Sequence, residues 1–261
     1  MYKKHYTHFL QANPERLHFA AHSHHPWPDV SRAAHIQCWD DAARDMDYKW
    51  GRIFGEVIPT AQAHIARVLN LSRPEQICFA PNTHEFVARI LSCFDTSKPL
   101  RILTSDSEFH SFARQSTRLE ELERVSVERL EVQPFDSFSE RLRQAIRQRE
   151  WDLIFLSQVF YNTGFVQSEL DALCEALQQT EAVVVIDGYH AFSAIPTDLK
   201  ALEDRIFYLA GGYKYAQAGE GVCFMHVPLG CSLRPLNTGW FAEFGNLEKH
   251  SGSSIGRVGF A

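Results

Sequence analysis

From about residue 76 onward, short apolar runs alternate with amphipathic segments, and this alternation limits the available folds more than any other feature. The runs are QICFA, LRILTS, SVERLEV, WDLIFLS, EAVVVIDG, RIFYLAG and GVCFMHV. Most of the early ones are followed by a stretch with helical spacing, such as THEFVARILSCF or EFHSFARQSTRLEELE. Strands alternating with helices predict an α/β fold built on a mainly parallel seven-stranded sheet with helices on both faces. VVVID and DLIFLS are continuously apolar, as strands buried on both faces require. Before residue 76 the chain is polar and histidine-rich, then helical in spacing over residues 31–54 and in AQAHIARVLNL. No internal repeat or low-complexity linker appears.

At 261 residues the chain suffices for one large domain or two small ones. The net charge of -6, without a block of Lys or Arg, gives no support to nucleic-acid or anionic-membrane binding. No apolar run approaches a membrane span, and the N-terminus lacks a continuous apolar stretch, so the expected location is the cytoplasm. Six cysteines (Cys38, Cys78, Cys93, Cys174, Cys223 and Cys231) occur without a C-x-x-C pair, several of them within apolar runs. They read as buried free thiols.

Sheets of this kind bind ligands where loops leave the carboxyl ends of the strands. The polar or aromatic residues ending the runs therefore carry the functional signal: Asn82 and Thr83, Glu108 and Phe109, Ser157 and Gln158, and Asp187. In AVVVIDGYHAFSAIPTDL a strand ends on Asp187, three residues before His190. Such a carboxylate either caps the next turn or meets a ligand. With no G-x-G-x-x-G and no phosphate loop, the dinucleotide and nucleotide readings fall away. In YLAGGYKYAQAGEGVCFMHV, Lys214 lies between two tyrosines in a glycine-rich turn. Most lysines are solvated. Here glycines allow close approach, and partial burial would lower the amine's pKa toward that of a useful nucleophile. His18, His22, His24 and His25 lack regular ligand spacing and acidic partners, so no metal is expected; one or two of them fit better as substrate contacts at the mouth of a site. No G-x-S-x-G elbow supports a hydrolase of the nucleophilic-serine type.

Together these two segments resemble the active-site core of fold-type I pyridoxal-phosphate (PLP) enzymes of the class V aminotransferase type. APNTHEFVARI, SDSEFHSFARQ, LSQVFYNTGF, GYKYAQAGEG and NTGWFAEF occur in the family's order, and the last three look like stretches of kynureninase. FAAHSHHPWPD loosely resembles the family's entry segment. The similarity covers roughly residues 75 to 245. It implies a PLP cofactor, an amino-acid substrate and a homodimer with sites at the subunit boundary. By the same resemblance Lys214 forms the Schiff base and then shuttles the Cα proton, and Asp187 pairs with the pyridine nitrogen. Phe109 stacks on the ring, while Asn82, Thr83, Tyr213 and Trp240 surround the phosphate. His190 lies near the phenolic oxygen or the phosphate. A carboxylate against the ring nitrogen keeps it protonated, so the ring can accept the electron pair released at Cα. The residues alone leave two positions open: Thr83 as an ordinary N-cap or a phosphate ligand, and Phe109 as a core or a stacking ring.

The division expected is an entry segment with helices over 1–75, a PLP-binding large domain over 76–245, and the start of a C-terminal region over 246–261. Relatives of this type continue into a small domain that commonly supplies the arginine gripping the substrate carboxylate. Arg234 and Arg257 are available here, neither in a matching context. The tail HSGSSIGRVGFA reads as interrupted, with no helix or strand to close a core, and implies a truncated chain. After the stacking aromatic the family carries small and acidic residues. Here HSF follows Phe109, so Ser111 keeps part of that role and the acid is missing. The reading is therefore a kynureninase-like or aminotransferase-like enzyme. The alternatives are a PLP-binding but silent chain, or a cysteine desulfurase-type lyase, whose mobile cysteine neither Cys223 nor Cys231 matches in context.

Overall fold

The computed structural model describes residues 2–95, 97–167, 170–239 and 259–260. The seven runs all form strands: β1 Ile77–Ala80, β2 Leu100–Ser105, β3 Val125–Leu130, β4 Leu153–Ser157, β5 Val183–Asp187, β6 Ile206–Gly211 and β7 Cys223–His226. They make one sheet in the order β1-β7-β6-β5-β4-β2-β3. Pairing is parallel from β3 through β6 and antiparallel at β6–β7 and β7–β1. The short link after β6 explains the change of sense, since a parallel return would need a crossover of a dozen or more residues.

Eight α-helices occur among the described residues. Three lie in the N-terminal part: α1 Thr7–Ala12, α2 Asp29–Asp45 and α3 Lys49–Arg52. The others are α4 Ile58–Leu69, α5 Thr83–Leu91, α6 His110–Glu121, α7 Phe135–Gln148 and α8 Leu170–Gln179. Successive strand residues point to opposite faces, and two cores follow. On one face Leu103, Ile154, Leu156, Val184, Ile186 and Tyr208 pack with α4, α7 and α8. On the other, Ile102, Phe155, Val185, Phe207 and Leu209 pack with α5 and α6. Phe112 of α6 stacks on Phe155 at 3.9 Å between ring centroids. β4 and β6 are buried at every position, which is why their sequences show no alternation.

The tail departs from expectation. Phe260 is fully buried against Phe207, and its carbonyl accepts from Arg89 Nη1 at 2.5 Å. Part of that tail therefore does close onto the core, on the α5 face. The expected start of a C-terminal region, up to residue 258, lies outside the described residues.

Candidate active site

Asp187 ends β5 and is buried. The chain turns at once, with Ala191 and Phe192 N–H groups donating to the Gly188 carbonyl, and so brings His190 back over the strand end. Gly188 has no room for a side chain: a Cβ there would lie 1.9 Å from the Tyr208 hydroxyl oxygen. β6 ends on Gly211, and a second tight turn presents Lys214. That turn is closed by Gly212 N–H to the Val222 carbonyl at 2.6 Å and Ala218 N–H to the Gly212 carbonyl at 2.7 Å. Two adjacent strands thus deliver a carboxylate and an amine to the same end of the sheet.

The Lys214 amine, itself buried, donates to Nε2 of His190 in a short contact. It lies 5.3 Å from the centre of the Phe109 ring and 5.1 Å from that of Tyr189. Among the described residues the Asp187 carboxylate accepts one hydrogen bond, from the Tyr189 N–H at 2.9 Å. Burial raises the Asp187 carboxyl to about 6, against the Tyr189 N–H and the Lys214 charge, which lower it. Burial also brings Lys214 down to about 8, opposed by Asp187. His190 falls to about 4, through burial first and then the charges of Lys214 and His22. Near pH 7 the site therefore holds a carboxylate, a neutral imidazole, and a lysine of which about a tenth is free amine.

Of the residues singled out from the sequence, Phe109, Asp187, His190 and Lys214 converge. Thr83 and Ser111 meet at 3.2 Å between hydroxyl oxygens, which sets the first turns of α5 and α6 side by side. The helix cap itself is Asn82, whose side chain accepts from the Glu85 N–H at 2.9 Å; Thr83 is the first residue inside the helix. Tyr213 points its hydroxyl at Nδ1 of His24, 2.8 Å away. Trp240 lies outside the described residues.

Two arrangements go beyond what the sequence reading described. The first is a clamp of N-terminal residues on the lysine turn. Beyond the His24 bond, Trp27 Nε1 donates to the Tyr213 carbonyl at 3.3 Å and Ser31 Oγ to the Gln217 carbonyl at 2.7 Å, while the Tyr6 hydroxyl meets the Gln217 side chain. The second is Glu108, a buried carboxylate just before Phe109 rather than after it. Its signal was the serine three residues earlier, Ser105, together with Ser157 at the end of a neighbouring strand.

A mostly parallel α/β sheet with a buried lysine and aspartate at its strand ends is the large-domain architecture of fold-type I enzymes. The chain belongs to the aminotransferase class-V family, whose model matches residues 21–249. It is 26% identical over 217 residues to isopenicillin N epimerase of Streptomyces clavuligerus, a match covering 77% of this chain and 51% of that protein. The chain thus spans about half the length of this curated relative. Among solved structures it is similar to C-DES with glycine covalently linked to the PLP cofactor (TM-score 0.74, 18% identity, 90% of this chain and 63% of that one). It is also similar to the cysteine desulfurase CsdA of Escherichia coli (TM-score 0.63, 19% identity, 79% and 52%). At these identities the likeness to solved structures establishes the fold.

Proposed function

We propose that this chain is the cofactor-binding part of a PLP-dependent enzyme that acts at the Cα of an amino acid, working in the cytoplasm as a homodimer. The observation that carries the reading is the convergence of a buried aspartate and a buried lysine at one end of the sheet, with the Phe109 ring 5.3 Å from the lysine amine. Buried charges are costly unless paired, yet Asp187 forms no ion pair among the described residues. A protonated ring nitrogen would supply the partner it lacks.

The residues present fit the cofactor. Asp187 would hold the ring nitrogen, Lys214 the aldehyde carbon, and Phe109 a ring face. Asn82, Thr83, Tyr213 and Trp240 would surround the phosphate, helped by the paired helix N-termini, where anions are favoured. His190 would sit toward the phenolic oxygen. Bound there, PLP supplies a sink for the electron pair released at Cα. The chain's own part is to move a proton. The free-amine fraction of Lys214 takes and returns it, and neutral His190 steadies that amine through Nε2. The rings of Tyr189 and Phe109 lie against the amine and limit water there, and Tyr161 packs edge-on against Phe109.

The division into 1–75, 76–245 and 246–261 belongs to this reading, as does its finer form, kynureninase-like or aminotransferase-like. The desulfurase alternative stays open, but Cys223 would not be its nucleophile: it is 2% exposed within β7 and has its thiol pushed up to about 11 by burial. A mobile thiolate nucleophile needs the opposite.

The test is an absorption spectrum of the purified chain with PLP, followed by borohydride reduction and peptide mapping. The expected result is a bound-cofactor band with the reduced label on Lys214 and no label in Lys214→Ala. No band, or label spread over surface lysines, overturns the reading. Turnover of kynurenine against amino transfer to a keto acid then separates the two finer forms, and binding without either identifies a silent chain.

A further inference from the structure

Gln158 stands one residue past β4 and is 4% exposed, yet the proposed chemistry leaves it unused. Each of its polar groups is bonded inside the molecule. Its N–H donates to the Asp187 carbonyl and its own carbonyl accepts from the Gln167 N–H, both at 2.8 Å. Its Oε1 accepts from the Tyr208 hydroxyl at 3.0 Å, and its Nε2 donates to Thr197 Oγ1 at 3.0 Å. Tyr208 and Thr197 are buried as well. One residue thus joins the ends of β4 and β5, the middle of β6 and the loop that leads from β5 to β6.

This network lies behind the aspartate. Side chains alternate between the faces of a strand. Val185 and Leu209 pack on the α5 and α6 face, and Asp187, the register partner of Leu209, shares their side. Ile186 and Tyr208 are also register partners, and they pack on the opposite face. The end of the Tyr208 ring fills the space beside Gly188, where an added Cβ would meet its Cζ at 2.0 Å. The Gly188 N–H in turn donates to the Leu209 carbonyl at 2.8 Å. The main chain of residues 187 and 188 is therefore held by Gln158 from β4, by Leu209 from β6 and by the Tyr208 ring. Among the described residues the Asp187 carboxylate has one hydrogen bond, from the Tyr189 N–H. Its aim depends on its own backbone and on the turn that follows. A buried polar network with every member satisfied rigidifies what it touches.

We propose that Gln158 and Tyr208 are positioning residues, which brace residues 187–189 from the far face of the sheet and so aim the Asp187 carboxylate. That this carboxylate is aimed at a ring nitrogen rests on the proposed function; the brace itself does not.

Two variants loosen the brace from behind. Tyr208→Phe deletes one hydroxyl, and Gln158→Met keeps the length of the side chain and loses its amide. Both keep the main-chain bond from Gln158 to Asp187. Hydrogen exchange of the cofactor-free chain, read by NMR, tests the brace at the Tyr189 N–H, whose acceptor is the Asp187 carboxylate. In both variants this amide should speed up about tenfold beyond any change shared by the amides of β2. A core that is merely weaker speeds up both alike. Equal acceleration at Tyr189 and β2, or none at Tyr189, overturns the proposal; Tyr208→Phe decides alone should Gln158→Met fail to fold. With PLP, Tyr208→Phe should weaken binding about threefold to tenfold by itself, and less than about twofold when added to Asp187→Asn, because the brace acts through that carboxylate. Equal losses in the two backgrounds overturn the cofactor part. If wild type fails to label at Lys214, the cofactor reading itself fails while the exchange result stands.

Discussion

The sheet and the N-terminal helices of this chain follow opposite economies. β4 and β6 bury every residue. In the 17-residue helix α2 the only buried residue is Asp41, held by Gln37, Arg44 and Arg52. The side chains α2 shows to solvent include large apolar ones: Val30 is 71% exposed and Trp39 72%. Hydrophobic burial is roughly proportional to apolar area removed from water, so the sheet supplies the stability of the chain and α2 contributes little by itself. What the N-terminal part does contribute is contact with the lysine turn through His24, Trp27 and Ser31. Stability and the proposed chemistry therefore meet only at the strand ends.

The sharpest way to break this contrast is in the core. Phe155→Ala removes a ring stacked on Phe112 beneath α6 and should cost about 3–5 kcal/mol in a denaturant titration. A loss below about 1 kcal/mol would mean the sheet is not the stabilising unit.

Asp187→Asn should act with the other sign. A carboxyl raised to about 6 from 3.8 binds its proton more tightly in the folded chain than in the unfolded one. The stability it contributes is complete below its unfolded value and is lost as pH rises through about 6. At pH 8 the cofactor-free chain therefore carries an unpaired buried charge, and Asn should stabilise it by about 1–3 kcal/mol. The same variant should bind PLP at least about tenfold more weakly, as befits the loss of a buried charge pair. Thermal melts at pH 4 and pH 8, with and without PLP, read both effects. Equal stabilisation at the two pH values would remove the charge argument.

A smaller effect is expected where the two regions touch. Tyr213→Phe deletes the hydroxyl bonded to His24 and should cost about 1 kcal/mol. Limited proteolysis should show it as faster cleavage within residues 13–28, with the sheet still protected. Unchanged cleavage would show that the clamp does not depend on this bond.

The fold was legible because it follows from local pattern: all seven strands sit in the runs that announce them, and VVVID ends on the carboxylate that matters. Lys214 was legible through its glycines. Glu108 and Ser157 were legible as strand-end residues, but their hydrogen bond was not, because they stand 49 residues apart and strand order rather than sequence distance makes them neighbours. The clamp was hidden for the same reason, with 189 positions between His24 and Tyr213. Asn82 and Thr83 differ by one residue in their roles because Asn and Thr both cap helices, and only the backbone turn decides which stands outside.

The smallest effect on the folded chain should come from Trp39→Glu, and it tests what the exposed helix is for. Ile36, Trp39 and Val30 leave α2 with apolar surface exposed among the described residues, and the proposed homodimer would cover it with a second copy. Replacing an exposed tryptophan should change monomer stability by less than about 0.5 kcal/mol. At the centre of an interface the same change would cost about 2 kcal/mol or more, because buried tryptophans dominate association. Light scattering across a dilution series should then give a dimer for wild type and a monomer for Trp39→Glu, with superimposable denaturation curves for the fold. If both proteins are monomers, the homodimer reading is wrong; if both are dimers, the second copy sits elsewhere. If the variant loses stability as a monomer, α2 belongs to the core after all, and the contrast between the two regions fails.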